Sequence, residues 1–339
     1  MKIGTILHHK YFNGVAEKDL AVKYKEKALE YFKNFGMFAT GIPKMITTSL
    51  GDVDSYNWNN VDKIIDFGLE NDVDIHFNTV FTGRLEFFPD SFQHLSADEK
   101  YKALERHVKL IVSRYSGKVS FFKLVNELVL DEDNNFLGTG RKKIDLIADV
   151  FKWATDVYPN GKYMFNQHFS FDISDVRVVK VLEQVNTLTA LGARIDLFGL
   201  QGHVGYQKPF FALPHNDNIV KLLSFIYNTI QIPISITEFD LSYRNHVSTP
   251  YTGSEINPED TFDYNGNEYR NWYDYQAYAY ENIVQICDKL FFMDSLYFWM
   301  FVDDDTLVND RVGCGLLDSH FEPKQYMVPF LKRIKSGKM

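Results

Sequence analysis

The sequence predicts an α/β protein folded as a single (β/α)8 barrel, the TIM-barrel architecture, with enlarged strand-to-helix loops, and three observations lead there. Eight short apolar runs recur at wide spacing, at 2–7, 37–42, 74–79, 120–125, 162–166, 196–201, 233–237 and 295–300. Stretches with apolar residues at helical spacing follow them, at 18–35, 61–70, 96–115, 144–158, 174–191, 217–230, 274–291 and 325–334. The chain has 339 residues and no Pro- or Ser-rich linker, so it reads as one catalytic domain over residues 1–339. Eight strand–helix units in sequence imply a parallel sheet closed on itself.

The elements justify themselves in turn. The first strand is Lys2-Ile3-Gly4-Thr5-Ile6-Leu7, and the first helix places Leu20, Tyr24, Ala28, Tyr31, Phe32 and Phe35 along one side. Ser96-Ala97-Asp98-Glu99 is a capping box that opens the third helix. Three strand-to-helix loops are large: 80–95, 204–215 and, longest of all, 242–273, which carries Tyr251, Tyr264, Tyr269 and Trp272. A loop of that length is usually functional or disordered. His8-His9 after the first strand is not read as a metal pair, because neighbouring residues of a strand point to opposite faces.

Composition narrows the function. Hydrophobic residues at 45% and charged residues at 24% allow a large core and exclude disorder. A net charge of −9 argues against a nucleic-acid partner and suits a neutral substrate. Aromatic residues are 16% of the chain; most belong to a core, and loop Tyr and Trp are candidates to stack on sugar rings. Two cysteines, Cys287 and Cys314, make neither a disulfide framework nor a metal site, so no metal or other cofactor is expected. No apolar run is long enough to span a bilayer, so no membrane partner is expected. The N-terminus reads as a strand rather than a signal peptide, which fits a cytoplasmic protein or a secreted one with its signal removed.

In such barrels chemistry sits at the C-terminal ends of the strands. The fourth strand ends in Asn126-Glu127 and the seventh in Glu238. A lone Glu in such a place often serves as a salt-bridged wall residue. Two of them, on strands nearly opposite across the mouth, can converge on one bond. Glycoside hydrolysis needs that arrangement: one carboxyl protonated for the leaving oxygen, the other ionised to attack, about 5–5.5 Å apart when configuration is retained.

These motifs resemble glycoside hydrolase family 10, the endo-β-1,4-xylanase family. Val125-Asn126-Glu127 is similar to its VNE signature, and Ile236-Thr237-Glu238-Phe239-Asp240 to its ITELD. Gly199-Leu200-Gln201-Gly202-His203 resembles GLQSH, Phe298-Trp299-Met300-Phe301-Val302-Asp303-Asp304 resembles WGVTD, and Leu316-Leu317-Asp318 with Phe321-Glu322-Pro323-Lys324 resembles its closing motif. The resemblance implies Glu127 as acid/base and Glu238 as nucleophile, in a retaining double displacement on an oligo- or polysaccharide. It implies that Asn126 binds the sugar 2-OH, that His203 bonds the nucleophile with Asp240 orienting its other nitrogen, and that Gln201 lines the same floor. Trp299 would be the platform beneath the reacting sugar, His76 and Asn166 would end strands at the site, and only Lys44 would stand in for the family's glycone-gripping element.

The departures fall in substrate binding. Val80-Phe81 occupies the place of the family's Trp-His, and Gly41-Ile42-Pro43-Lys44-Met45 that of its polar NEMK segment. A β-glycosidase or transglycosidase acting on a non-xylan β-linked polysaccharide is therefore an alternative. Two further classes compete: a metal-dependent barrel hydrolase, which needs His clusters at strand ends, and a non-catalytic carbohydrate-binding barrel, which is expected to have lost a carboxylate.

Overall fold

The structure, a computed structural model, describes residues 1–128, 133–169, 171–204, 213–242, 257–264, 266–303 and 313–337. Eight parallel strands close into a barrel: β1 (Lys2–Leu7), β2 (Asn34–Met37), β3 (Asp74–Thr82), β4 (Phe122–Asn126), β5 (Tyr163–Gln167), β6 (Leu197–Leu200), β7 (Ile234–Leu241) and β8 (Met293–Phe298). Each pairs with its sequence neighbours, and β8 closes the ring on β1 with Lys2 opposite Ser295. The strands are buried almost end to end, as expected of a parallel sheet covered by helices.

Eight helices alternate with the strands: α1 (Lys18–Tyr31), α2 (Asn59–Glu70), α3 (Ala97–Tyr115), α4 (Lys143–Val157), α5 (Val176–Ala190), α6 (Asn216–Ile230), α7 (Trp272–Asp288) and α8 (Val328–Ser336). α3 opens on the expected capping box, Ser96 with Glu99. The large core lies between strands and helices, while a separate cluster of Ile6, Phe121, Met164, Leu197 and Tyr297 fills the barrel interior. Space there is tight. A Cβ on Gly36 would fall 2.2 Å from the His76 ring, so that strand position takes only glycine.

Several boundaries differ from the sequence reading and move residues relative to the mouth; the seventh strand runs on to Leu241, so Glu238 lies within it rather than at its end. The first helix stops at Tyr31, because Phe35 and Met37 alternate along β2, facing the helix layer, instead of continuing the helical stripe. β2 therefore ends at Met37, where the sequence placed its start. β3 runs on to Thr82, so Val80 and Phe81 lie within the strand and are fully buried. His8 and His9 follow β1 and stack their rings at 4.4 Å, rather than pointing apart along a strand.

Strand pairing contains irregularities that decide which side chains face inward. Between β7 and β8, Ile236 pairs with Leu296 and Phe239 with Phe298, so Thr237 and Glu238 together oppose Tyr297 alone. Such a bulge re-aims a side chain. Here it lets two consecutive residues, Thr237 and Glu238, both bond across the interior.

Candidate active site

Glu238 lies in β7 with only 5% of its surface exposed. Lys123, from β4, is fully buried and donates from Nζ to Glu238 Oε1 at 2.5 Å. On the other side His203 Nε2 stands 3.2 Å from Glu238 Oε2, and His203 Nδ1 stands 2.9 Å from Asp240 Oδ1. The ring can donate to both carboxylates only as the imidazolium, since a neutral ring carries one N–H. Burial by itself would raise the Glu238 pKa. The charge of Lys123, followed by the hydrogen bond and charge of His203, outweighs it and holds the carboxyl at about 2.

Glu127 follows the last residue of β4, with φ of +52°, a left-handed conformation that costs a residue carrying a Cβ. Its side chain is partly exposed. Gln201 donates from Nε2 to Glu127 Oε1 at 2.7 Å, and the Arg84 guanidinium is 3.2 Å from Oε2. Gln201 also ties the two carboxylates together, because its carbonyl accepts the Glu238 backbone N–H at 2.8 Å.

Beneath the pair lies a polar floor. Thr237 Oγ1 donates to Asn166 Oδ1 at 2.8 Å, and Asn166 Nδ2 donates to Asn126 Oδ1 at 2.6 Å. The Asn166 carbonyl accepts the Glu127 N–H at 3.1 Å. Asn166 is fully buried and belongs to β5, so it serves as a connector rather than as a turn residue. Trp299, just past β8, is partly exposed; its ring meets His203 edge-on at 5.7 Å and leans on Phe38 at 4.9 Å.

The structure thus brings together Glu127, Glu238, Asn126, Asn166, Gln201, His203, Asp240 and Trp299. It does not bring His76 and Lys44 to them in the expected way. His76 is the third residue of β3, not its last, and is fully buried within the barrel between Phe121 and Tyr297. Neither ring nitrogen has a hydrogen-bond partner among the described residues, and burial, reinforced by Lys123, pushes its pKa well below the ordinary value. Lys44 is exposed in a short helix after β2, 3.5 Å from Asp90, because β2 ends earlier than the sequence suggested. Of the long loop after β7, Tyr251 lies outside the described residues. Trp272 is fully buried against Phe262 and Tyr275, and Tyr264 donates to the Leu213 carbonyl.

A barrel with this constellation at its strand ends can be compared with known proteins. Residues 2–331 match the sequence model of glycosyl hydrolase family 10. The chain belongs to that family. As a family 10 member it is a glycoside hydrolase of the xylanase-like group. It is 25% identical over 318 residues to endo-1,4-beta-xylanase B of Thermotoga neapolitana, covering 90% of this chain and 81% of that protein. It is 25% identical over 283 residues to a beta-1,4-xylanase of Dictyoglomus thermophilum, covering 80% and 74%. Among solved structures, xylanase 10B of Thermotoga petrophila RKU-1 in complex with xylobiose superposes with a TM-score of 0.77 at 20% identity, covering 100% and 94%. Native xylanase 10B of Thermotoga maritima gives 0.76 at 21%, covering 100% and 95%.

Four residues of this candidate site escape sequence reasoning: Lys123, Thr237, Arg84 and Phe38. Lys123 carried a signal. A lysine inside the apolar run Phe121-Phe122-Lys123-Leu124-Val125 is seldom buried unless paired, so it announces a buried anion. The other three carry no such mark.

Proposed function

We propose that this chain is a retaining endo-β-1,4-xylanase-like glycosidase, with Glu238 as nucleophile, Glu127 as acid/base, and residues 1–339 acting as one catalytic unit. The observation that carries this reading is the contrast between the two carboxyls. Glu238 is buried and held ionised by Lys123 and His203, whereas Glu127 is partly exposed at the strand end, and Gln201 links the pair. Double displacement asks for that division of labour. In the first step a Glu238 oxygen bonds to the anomeric carbon while the bond to the leaving oxygen breaks, and that oxygen takes the Glu127 proton. In the second step Glu127 takes a proton from water, the water oxygen bonds to the anomeric carbon, and Glu238 leaves as the carboxylate.

The surrounding residues fit supporting roles. Asn126, steadied by Asn166, would bond the sugar 2-OH. His203 and Asp240 would orient Glu238, and Trp299 would underlie the reacting sugar. A substrate of the xylan class follows from the xylanase activity of the relatives.

Alanine at 238 tests the assignment. Glu238→Ala is expected to abolish hydrolysis of an aryl β-glycoside, and added azide to restore turnover with a glycosyl azide of inverted configuration. Near-parental activity in the variant would end the assignment.

A second reading concerns the sugar. Lys44 pairs with Asp90 away from the carboxylates, and β3 brings Arg84 beside Glu127. These contacts favour a β-linked substrate with a different or decorated sugar, or transfer to another acceptor.

A further inference from the structure

We propose that Lys123 is a positioning residue for Glu238, a buried ammonium that fixes one oxygen of the nucleophile and sets how readily that carboxylate leaves the sugar. The inference rests on Glu238 being the nucleophile. Lys123 is fully buried in the middle of β4, and among the described residues its amino group has one anionic partner, Glu238 Oε1 at 2.5 Å. A lysine in such a place is costly to desolvate unless a counter-charge faces it. The pair is built into the barrel interior: Thr79 Oγ1 donates to the Lys123 carbonyl at 2.8 Å, which anchors the strand that carries the ammonium.

The charged and titratable groups around Glu238 come from four directions. Lys123 faces it from β4, His203 from the segment after β6 with Asp240 behind, and His76 from β3 below. Glu127, with Arg84, shares Gln201 with it. Burial works against ionisation of Glu238, His76 is pushed toward its neutral form, and Lys123 provides the largest opposing charge.

The consequence for chemistry is two-sided. A carboxylate held by an ammonium is less basic, so it attacks the anomeric carbon more slowly. It is also a better leaving group when water displaces it from the ester. During the covalent stage Glu238 is uncharged, and Lys123 is left as a buried cation without its partner. That state is raised in energy, and its hydrolysis, which returns the electron pair of the C–O bond to Glu238, restores the ion pair. Lys123 therefore favours the second half of the reaction over the first.

Lys123→Met keeps an unbranched chain of similar length and removes the charge. Two measurements read the effect. The first is an NMR titration of protein carrying 13C-labelled glutamate carboxyls, with Glu238 assigned by the signal lost in Glu238→Gln. The second is the pH profile of kcat/KM on p-nitrophenyl β-xylobioside. An opposite charge at this range moves a carboxyl by about 1–3 units. Both the Glu238 titration and the acid limb are expected to move upward by at least one unit in Lys123→Met, with kcat and KM falling together as the covalent stage accumulates. A purely structural lysine would lower kcat at every pH and leave the limb in place. An unchanged Glu238 titration and acid limb overturn the inference. Should Lys123→Met fail to fold, the parental titration decides: a midpoint well below the ordinary glutamate range supports the pairing, and one at or above it overturns it. If Glu238→Ala retained activity, the nucleophile assignment would fall. If Glu238 is essential and its titration ignores Lys123, only the present inference falls.

Discussion

Replacing Thr237 by valine removes one oxygen from the floor of the site and keeps the β-branched shape. The hydroxyl donates to Asn166 Oδ1 at 2.8 Å, and Asn166 is fully buried. Valine would leave that amide oxygen without its donor. An orphaned buried acceptor costs about 1–3 kcal/mol, more than the roughly 1 kcal/mol that a typical hydrogen bond contributes net. Stability should fall by that amount, read as a lower denaturant midpoint at unchanged slope. Activity should fall as well, because Asn166 holds Asn126 through the 2.6 Å amide contact. Each 1.36 kcal/mol lost from the transition state is about tenfold in kcat/KM. The double variant Thr237→Val with Asn166→Leu sharpens the test. It removes both partners, and Asn126, being partly exposed, can bond water in place of Asn166. The double variant should be more stable than the sum of its single changes implies. Thr237→Val as stable as the parent, or a double variant showing the full sum, would refute the floor as a connected network.

Three other outcomes follow from the geometry. Glu127→Ala should lose most activity on substrates with poor leaving groups and keep far more on activated aryl glycosides, whose departure needs no proton; equal losses on both would speak against a general acid. Glu238, at about 2 in the fold against an ordinary 4.5, contributes stability that is complete above about pH 4.5 and is lost as pH falls toward 2. At 1.36 kcal/mol per unit the contribution is on the order of 3 kcal/mol, so thermal midpoints should drop more steeply over that window in the parent than in Glu238→Gln. Finally, plain linear xylo-oligosaccharides should be poor substrates, since apolar Val80 and Phe81 are buried within β3 and Lys44 pairs with Asp90; kcat/KM of about 10⁴ M⁻¹s⁻¹ or more would show that other residues compensate.

The barrel was legible because eight apolar runs separated by helical periodicity leave few other topologies. The carboxylates were legible because each Glu follows an apolar run, although Glu127 stands just past β4 while Glu238 lies within β7. The errors arose where one apolar pattern serves two elements. Phe35 continues the helical stripe of α1 and also begins the alternation of β2 toward the helix layer, and only packing decides between them. Val80-Phe81 reads as the start of a loop, yet β3 pairs on past it, Thr82 lying opposite Asn126. Arg84 is thereby carried to the mouth. Thr237 and Glu238 both serving the interior could not be read, because strict alternation sends successive residues to opposite faces and a bulge leaves no mark in composition.

Glu127 sits at a φ of +52°, where a side chain pushes its own backbone into a crowded arrangement. Asn or Gly would occupy the same turn with less resistance. The position to which we assign the proton donor is therefore one where the backbone would prefer another residue. Inert variants with Asn or Gly at 127 should be sturdier proteins than the parent, and a lineage released from selection for turnover would have a downhill route toward a firmer barrel that no longer cuts sugar.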